Sequence, residues 1–464
     1  MNLVRSTHLL RKSLLAACLL TAAHSVIFGQ VTPEPEQTRL LNGLRVLQWT
    51  RPGDKDVLIK LRIHSGAAFD LAGKAGGMAL LGDILFPDPT TREYFTEEMQ
   101  GRLNVTTNYD SVTITMQGRA SEFERIIEIL RTALVATQLT PENVAKVREG
   151  RIKIIRETSI SPSMLADRAI ASRLFGDFPY GRPYMGTVES LARVDRADLM
   201  LARERFLNPN NSSLVIIGGV PHNRAMRALR QLLGIWRKSE QLVPPTFKQP
   251  AGVDSPTLII NALADQSVEI RLAARGFSRQ DPDTPAASLL AIVARQRWER
   301  LLPDLARNPV FVRHESFVLP GIFVMGTAID SLLAGKTLWA AQAVIKSFAT
   351  SPVTAAELQQ AKVEVNALAN KELSTPDGIA DAWLDVDTYG LTHVNQETRL
   401  SNAASPNDLD RVAARLFRNN TWASIVVGNS DLVKTQIERY GKVELLGEID
   451  RKSDDSSGPK VPKP

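Results

Sequence analysis

Two stretches of equal length decide how this chain folds: DLMLARERFLNPNNSSLVIIG, from Asp198 to Gly218, and DLDRVAARLFRNNTWASIVVG, from Asp408 to Gly428. Both begin with Asp-Leu, continue as an amphipathic helix, break at an asparagine-containing turn and enter a branched apolar strand that ends in glycine. A helix–turn–strand unit of unrelated origin would share this order of elements. The equal lengths, at an offset of 210 residues, favour a duplicated fold.

The boundary between the two copies falls in a proline-rich stretch. Residues 241–256 contain four prolines and little apolar periodicity, so we predict a linker there. This prediction places an N-terminal half at residues 31–240 and a C-terminal half at residues 257–449.

Strands alternate with long helices in both halves. In the first half, the periodicity predicts strands at 43–49, 57–63 and 111–116 and helices at 77–86, 123–135 and 141–156. In the second half, it predicts strands at 257–261, 267–273 and 321–328 and helices at 285–300 and 334–349. This alternation within duplicated halves predicts the α+β class.

Residues 1–30 have the pattern of a signal peptide. Arg5, Arg11 and Lys12 precede an apolar run that is too short for a membrane span, so we predict an exported protein, periplasmic or secreted. Two alternatives remain, an uncleaved amphipathic anchor and lipidation at Cys18. Because Cys18 is the only cysteine, the chain without its leader has no disulfide, thiol nucleophile or cysteine-ligated metal.

The charge balance argues against nucleic acid as a partner. The net charge is +6, and removing the three cations of the leader leaves +3. No basic run with interleaved aromatic residues occurs, so the electrostatic footprint of a nucleic-acid-binding protein is absent from the sequence. Residues 450–464 are polar and proline-rich, which predicts a disordered tail.

Several segments together resemble one known family. They are NGLRV at 42–46, FGDFPYGRPYMGT at 175–187, PNNSSLVIIG at 209–218, and VVG at 426–428 with YGKV at 440–443. In this order and spacing they resemble the insulinase/pitrilysin family of inverted-motif zinc metallopeptidases. The resemblance implies two homologous α/β halves, each a mixed sheet with flanking helices, arranged as a clam-shell around a peptide.

The family's zinc motif is degenerate in this sequence. The family carries His-x-x-Glu-His on a helix, which places two zinc ligands at i and i+4 and a general base beside them. The matching segment here is GGMALLGDILF at 76–86, which puts Ala79, Gly82 and Asp83 at those three positions. Ala79 has no ligand atom and Gly82 no base, so Asp83 alone could contact a metal.

A count of histidines supports this reading without any alignment. Beyond the leader, the chain has four histidines: His64, His222, His314 and His393. No two of them share a helical turn, so the spacing excludes a helical two-histidine zinc site.

The remaining site positions are ambiguous or altered. The family's third zinc ligand lies on a later helix, where either Glu149 or Glu157 corresponds to it. A hard-cation site from Asp83, Asp88 and Glu157 is a weak alternative.

In the second half, the family has an arginine and a tyrosine that stabilise the substrate oxyanion. Phe311 stands here in place of the tyrosine, and Arg307 is the nearest arginine. We therefore expect no bound cofactor, although zinc is the cofactor of the family.

The resemblance favours a non-catalytic subunit that pairs with a zinc-bearing relative, because family members include heterodimers with one active chain. The alternative is a stand-alone peptide-binding or structural scaffold protein without proteolysis. An active zinc peptidase with an atypical site is the third hypothesis. Peptides are possible ligands, nucleic acid is not expected, and no stable membrane span is expected after cleavage of the leader.

Overall fold

Two six-stranded mixed sheets form the frame of the part of the chain that the structure describes. The computed structural model describes residues 33–158, 161–240, 243–244, 246–250, 252, 255–262, 266–302 and 309–447. The predicted signal peptide with Cys18, the predicted tail at 450–464 and Arg307 lie outside these residues.

The first sheet has the strand order β1–β2–β6–β3–β5–β4, with bounds β1 Glu36–Arg39, β2 Arg45–Thr50, β3 Asp56–Ile63, β4 Arg102–Thr107, β5 Val112–Arg119 and β6 Ser212–Gly218. The second sheet has the order β12–β7–β11–β8–β10–β9, with bounds β7 Thr257–Asn261, β8 Ser267–Arg275, β9 Phe311–Glu315, β10 Ile322–Asp330, β11 Trp422–Gly428 and β12 Val443–Leu446.

Five strands of each sheet share one topology, and the sixth differs, because β1 is antiparallel to β2 whereas β12 is parallel to β7. In the first, β2 pairs in parallel with β6, and the pairs β6–β3, β3–β5 and β5–β4 are antiparallel. In the second, β7 pairs in parallel with β11, and β11–β8, β8–β10 and β10–β9 are antiparallel. Because β6 begins at Ser212 and β11 at Trp422, the offset of 210 residues recurs in the structure. The predicted α+β class and the two homologous halves are confirmed.

Helices flank both sheets. In the first half they are α1 Gly77–Ile84, α2 Pro89–Glu97, α3 Phe123–Arg131, α4 Pro141–Glu157, α5 Pro162–Phe175, α6 Val188–Ala192, α7 Arg196–Phe206 and α8 His222–Leu233. In the second half they are α9 Thr284–Leu301, α10 Ala334–Thr350, α11 Ala355–Glu372, α12 Pro376–Tyr389, α13 Gln396–Ala403, α14 Pro406–Ala413 and α15 Ser430–Glu438.

Helix starts in the two halves use the same local chemistry. The Thr140 hydroxyl accepts a hydrogen bond at the start of α4, as the Thr354 hydroxyl does at the start of α11. Ser161 and Thr375 cap α5 and α12 in the same way, each followed by a proline at the first helical position. These caps satisfy amide groups that the first helical turn leaves unpaired. The duplication therefore extends to helix ends.

The predicted helices and strands are all present, with ends that differ by a few residues. Four strands were not predicted, β1, β4, β9 and β12, and each is the outermost strand of its sheet. Strand β4 shows why: its sequence is RLNVTT, and only Leu103 is buried, so the apolar alternation is faint. Within the predicted linker at 241–256, the described residues form no helix or strand.

One helix of each half covers the sheet of the other half. Helix α5, from the first half, packs on the second sheet, where Ala166 and Ile170 meet Ile260 and Ile425. Helix α12, from the second half, packs on the first sheet, where Trp383 and its neighbours meet a patch of buried strand residues. The two halves of the predicted clam-shell are thus joined by an exchange of helices.

Charges reinforce the contact between α12 and the first sheet. Buried Lys60 pairs with Asp381 at 2.7 Å, and buried Arg62 pairs with Asp381 at 3.0 Å and with Asp385 at 2.5 Å. Two further ion pairs, Arg45 with Asp387 and Arg102 with Asp377, lie along the same face. The contact between α5 and the second sheet has two counterparts, Arg271 with Asp167 and Arg173 with Glu444, both at 2.7 Å.

None of the helices in the described part of the chain is both long enough and apolar enough to cross a bilayer.

Candidate functional site

Helix α1 carries the positions of the predicted zinc motif, and its start is built around a buried carboxylate. Asp70 accepts hydrogen bonds from the backbone N–H groups of Gly76 and Met78, both at 2.7 Å. Gly76 has φ +90°, and a Cβ there would lie 2.8 Å from the backbone of Gly186, so only glycine fits this turn. Burial raises the pKa of Asp70 to about 7. The start of α1 is therefore fixed by local geometry and needs no metal.

Ala79 and Gly82 lie on the buried side of α1. Ala79 is 1% exposed. A Cβ at Gly82 would stand 3.0 Å from Val105 Cγ1 and 3.4 Å from Val112 Cγ1, so α1 approaches strands β4 and β5 more closely than a larger residue permits. At the position that carries the general-base carboxylate in the family, even a Cβ would therefore require Val105 to shift by a few tenths of an ångström.

Restoring that carboxylate by Gly82→Glu is expected to lower the free energy of unfolding by about 1–3 kcal/mol, because the new side chain must push α1 away from β4. Gly150→Glu is the matched control, since Gly150 lies inside helix α4 and a Cβ there meets nothing within 4 Å. We expect the control to stabilise the protein by about 0.5–1 kcal/mol through helix propensity. Urea denaturation of both variants measures the difference, and equal effects would contradict the close packing described for Gly82.

Asp83 is the one motif position with a ligand atom, and a cation already binds it. The Arg151 guanidinium, from α4, donates to Asp83 Oδ2 from Nε at 2.6 Å and lies 2.5 Å from it through Nη2. The same Nη2 lies 3.5 Å from the carbonyl oxygen of Ala79. Burial raises the pKa of Asp83, and the charge of Arg151 opposes this rise. The guanidinium thus lies over the face of α1 between residues 79 and 83.

The other predicted carboxylates do not join Asp83. Glu149 and Glu157 are exposed, and the nearest cation to Glu157 is Lys153, at 3.7 Å. Asp88 caps helix α2 by accepting from the N–H of Thr90 at 3.0 Å, and hydrogen bonds from the side chain and the backbone of Thr90 lower the pKa of Asp88. Across the described residues, no group of three His, Cys, Asp or Glu side chains is placed to hold a metal ion. The α4 residue that contacts Asp83 is Arg151, a type of residue that cannot ligate zinc.

Phe311, at the predicted oxyanion position of the second half, has a packing role. Its ring lies against Gly326, where a Cβ would come within 2.3 Å of the ring. The guanidinium carbons of Arg271 and Arg313 lie 4.9 Å and 4.5 Å from the ring centroid. A phenyl ring between two cations has no hydroxyl to stabilise an oxyanion, and it supports the conformation of β9 instead.

A serine, a histidine and an aspartate meet at the edge of α12, but in an order that does not suit hydrolysis. His64 lies 3.0 Å from both the Ser213 and the Thr388 hydroxyls, and Ser213 donates to Asp387. In a catalytic triad the histidine lies between the serine and the acid. Here the serine lies in the middle and is 2% exposed, and burial lowers the pKa of His64 to about 4. The group joins α12 to the first sheet.

A buried carboxylate between the two halves was missed by the sequence reasoning. Asp110, in the turn between β4 and β5, accepts from the Tyr180 hydroxyl at 3.2 Å and from the N–H of Val318 at 3.0 Å. The Tyr180 hydroxyl in turn accepts from the N–H of Leu319 at 3.0 Å. Residues 318 and 319 belong to the equivalent turn of the second half, between β9 and β10. The sequence does not reveal these contacts, because Asp110 lies 70 residues from Tyr180 and 208 residues from Val318.

Burial raises the pKa of Asp110 to about 6, which predicts a pH-dependent contribution to stability. The folded protein keeps this proton up to about pH 6, whereas the unfolded chain loses it near pH 4, so the contribution falls as the pH rises between these values. Asparagine cannot ionise, so Asp110→Asn removes this loss of stability with rising pH. The free energy of unfolding of the variant minus that of the unmodified protein is therefore expected to rise by on the order of 2 kcal/mol from pH 4 to pH 7.

Chemical denaturation at several pH values measures this difference, and a constant difference would contradict the raised pKa. The comparison must be made as a difference because His64 and His314, whose pKa values burial lowers to about 4, act in the opposite direction over the same range. Because the variant and the unmodified protein both contain these histidines, their contributions cancel in the difference.

Comparison with known proteins agrees with the geometry. The family described as Peptidase M16 inactive domain matches residues 193–364. An uncharacterized zinc protease of Mycobacterium leprae is 22% identical over 260 residues, which cover 55% of this chain and 58% of that protein. A probable mitochondrial-processing peptidase subunit beta of Arabidopsis thaliana is 20% identical over 280 residues, covering 58% of this chain and 51% of that protein. The chain spans about half the length of the curated relatives it matches.

Solved structures share this fold over most of the chain. The peptidase M16 inactive domain from Pseudomonas fluorescens superposes with a TM-score of 0.72 at 16% identity, over 86% of this chain and 98% of that one. The first half of the periplasmic protease PqqL from Escherichia coli has a TM-score of 0.72 at 16% identity, over 87% of this chain and 94% of that one. With the family match over residues 193–364 and the order of motifs in the sequence, these likenesses support membership of the insulinase/pitrilysin (M16) family, with a degenerate zinc motif.

Proposed function

We propose that this chain is an exported, non-catalytic subunit that pairs with a zinc-bearing member of its family to form a peptide-degrading chamber. The observation that carries the proposal is the state of helix α1. Ala79 and Gly82 have neither a ligand atom nor a base, and the carboxylate of Asp83 is held by Arg151. The residues at this site do not fit a zinc ion.

The chemistry of peptide hydrolysis explains why these changes matter. A catalytic zinc site in proteins uses three protein ligands and an open position for water, whose deprotonation generates the nucleophile. At this site, one aspartate remains and it is already neutralised. The missing general base alone contributes about 10²–10⁴-fold to the rates of enzymes that use one. We therefore expect the chain alone to bind no stoichiometric zinc and to hydrolyse no peptide.

Pairing and export have separate support. The chain keeps the complete two-half architecture although the motif has degenerated, which is understandable if the shape still serves a complex. One relative is described as a subunit beta of a processing peptidase, and one structural neighbour as periplasmic. The leader pattern at residues 1–30 is consistent with the same compartment.

Elemental analysis and a fluorogenic peptide assay test the proposal. The purified chain is expected to carry less than about 0.1 zinc per molecule and to show no chelator-sensitive cleavage, given that fewer than three ligands are present. Co-expression with an intact His-x-x-Glu-His relative from the same genome is expected to yield a 1:1 complex that cleaves peptides. Replacing the first motif histidine of that relative by alanine must abolish the activity, which assigns the chemistry to the partner.

Two outcomes would overturn the proposal. Stoichiometric zinc in the lone chain, lost in Asp83→Ala, would show that an atypical metal site exists. Failure of every zinc-bearing relative to bind, together with saturable binding of peptides by the lone chain, would favour the stand-alone peptide-binding or scaffold protein instead.

A further inference from the structure

A cavity of about 1470 Å³ lies where elements of the first half meet the second sheet. Helices α5 and α7 and residues 69–72 form its walls. Its floor is the face of β7 and β12, through the side chains of Leu258, Glu444 and Leu446. This cavity lies outside the α1 site, since neither Asp83 nor Arg151 lines it. Neither the degenerate zinc motif nor the proposed pairing with a relative explains its presence.

The lining is dominated by aromatic and aliphatic side chains. Five of the 15 phenylalanines of the chain line the cavity, among them Phe69, whose ring lies 4.7 Å from that of Phe206 and 5.8 Å from that of Phe247. Leu71, Leu201 and Phe247 are each between 37% and 45% exposed. Large apolar side chains that remain partly exposed around one cavity favour an apolar ligand over water as its occupant.

Two cations of the lining have no partner among the described residues. Arg173 is neutralised by Glu444 at 2.7 Å, and Arg182 donates to the carbonyl oxygen of Asp70. The side chains of Arg205 and Lys248 form no ion pair or hydrogen bond within the described part of the chain. Of the acids that line the cavity, Glu444 is paired with Arg173, Asp198 with Lys74 and the carboxylate of Asp70 with backbone amides, while Asp177 faces Arg182. The lining has four cations and four acids, and after these pairings Arg205 and Lys248 are the two cations without a partner among the described residues.

The face of β7 and β12 that forms the floor offers a peptide no main-chain pairing, and only the outer edge of β12 could offer it. Strands β7 and β12 pair with each other, and Leu258 lies opposite Glu444, so the cavity meets side chains on a sheet face. A peptide lying on a sheet face finds no row of main-chain partners, and each unpaired N–H or C=O that it buries is unfavourable. An acyl chain has no polar groups along its length and avoids this problem.

We propose that this cavity binds an anionic amphiphile, an acyl chain that ends in a carboxylate or a phosphate, with the chain among the phenylalanines and the head group at Arg205 and Lys248. A free fatty acid and an acyl phospholipid both have this chemistry. The proposal does not depend on the pairing with a zinc-bearing relative.

Fluorescence titration of the delipidated full chain with cis-parinaric acid tests the proposal. Saturable binding is expected, and displacement by palmitate or by lysophosphatidylglycerol identifies the preferred head group as carboxylate or phosphate. The double variant Arg205→Glu/Lys248→Glu is expected to weaken binding at least about tenfold, because two charge-assisted contacts become repulsive. The control Lys336→Glu/Lys346→Glu makes the same change of charge on exposed positions of α10 outside the cavity and is expected to bind normally.

Ala202→Trp fills the cavity from helix α7 and is expected to abolish binding. If the tryptophan variant does not fold, the double variant Arg205→Glu/Lys248→Glu still tests the proposal, because both of its substitutions lie on the surface. Absence of saturable binding would overturn the proposal. So would equal affinity in Arg205→Glu/Lys248→Glu and the control, or displacement of the probe by an apolar octapeptide and not by palmitate or the lysophospholipid.

Discussion

Arg271→Ala is expected to lower the free energy of unfolding by about 3–5 kcal/mol. Arg271 lies in strand β8 under helix α5 and is 1% exposed. Its guanidinium pairs with Asp167 at 2.7 Å and Glu269 at 2.8 Å and donates to the Ser163 hydroxyl at 2.7 Å. Truncation removes the cation shared by two acids and leaves a void beside Phe311.

Arg313→Ala is the matched control for this prediction. Arg313 lies over the same Phe311 ring, at 4.5 Å, but its side chain is 50% exposed and its partner Glu315 lies 3.3 Å away at the surface. Because solvent screens exposed pairs, we expect an effect below about 1 kcal/mol. Urea denaturation followed by circular dichroism measures both variants. Similar losses for the two arginines would contradict the idea that burial under α5 determines the effect.

Asp381→Ala is expected to destabilise the protein by about 2–4 kcal/mol, because it removes the acid that Lys60 and Arg62 share. These two cations are 5% and 8% exposed, so their charges stay largely desolvated after the substitution. Their remaining partners, Asp377 at 2.9 Å from Lys60 and Asp385 at 2.5 Å from Arg62, keep the expected loss below that of an isolated buried charge.

The control for Asp381→Ala is Glu128→Ala, which breaks an exposed pair with Arg125 at 3.1 Å. We expect a change of less than about 0.5 kcal/mol for this variant. Hydrogen exchange adds a local readout, since amides of α12 are expected to lose protection in Asp381→Ala before those of α5. A loss of protection that begins in α5 would show that Asp381 does not hold α12 on the first sheet.

The two exchanged helices are held by different forces. Helix α12 meets the first sheet through a row of ion pairs around a small apolar patch, whereas α5 meets the second sheet through a larger apolar cluster and two ion pairs, those of Arg271 and Arg173. Lys60 and Arg271 occupy the same place in the duplicated topology, on β3 and β8. The halves therefore share a backbone plan and differ in how each holds the helix of the other.

The candidate site was partly predictable because the identity of a side chain limits its chemistry. Ala79 has no ligand atom and Gly82 no base in any fold, so the sequence alone excluded the family's two-histidine zinc site. It left the third-ligand position open between Glu149 and Glu157. The structure directs neither of them at Asp83 and brings Arg151 there instead. That contact joins residues 68 positions apart, beyond the reach of periodicity.

The sequence by itself determined the α+β class, the duplication and most helices and strands, because hydrophobic periodicity, caps and turn residues are local properties that recur at one offset. The outer strands gave a weaker signal, since each has a neighbour on one side only. Only the tertiary structure decided that α5 and α12 exchange sheets, that Asp110 joins the two turns, and that a cavity lined by phenylalanines lies between the halves. Periodicity tells which face of an element is buried, but which surface it is buried against depends on contacts between residues far apart in the chain.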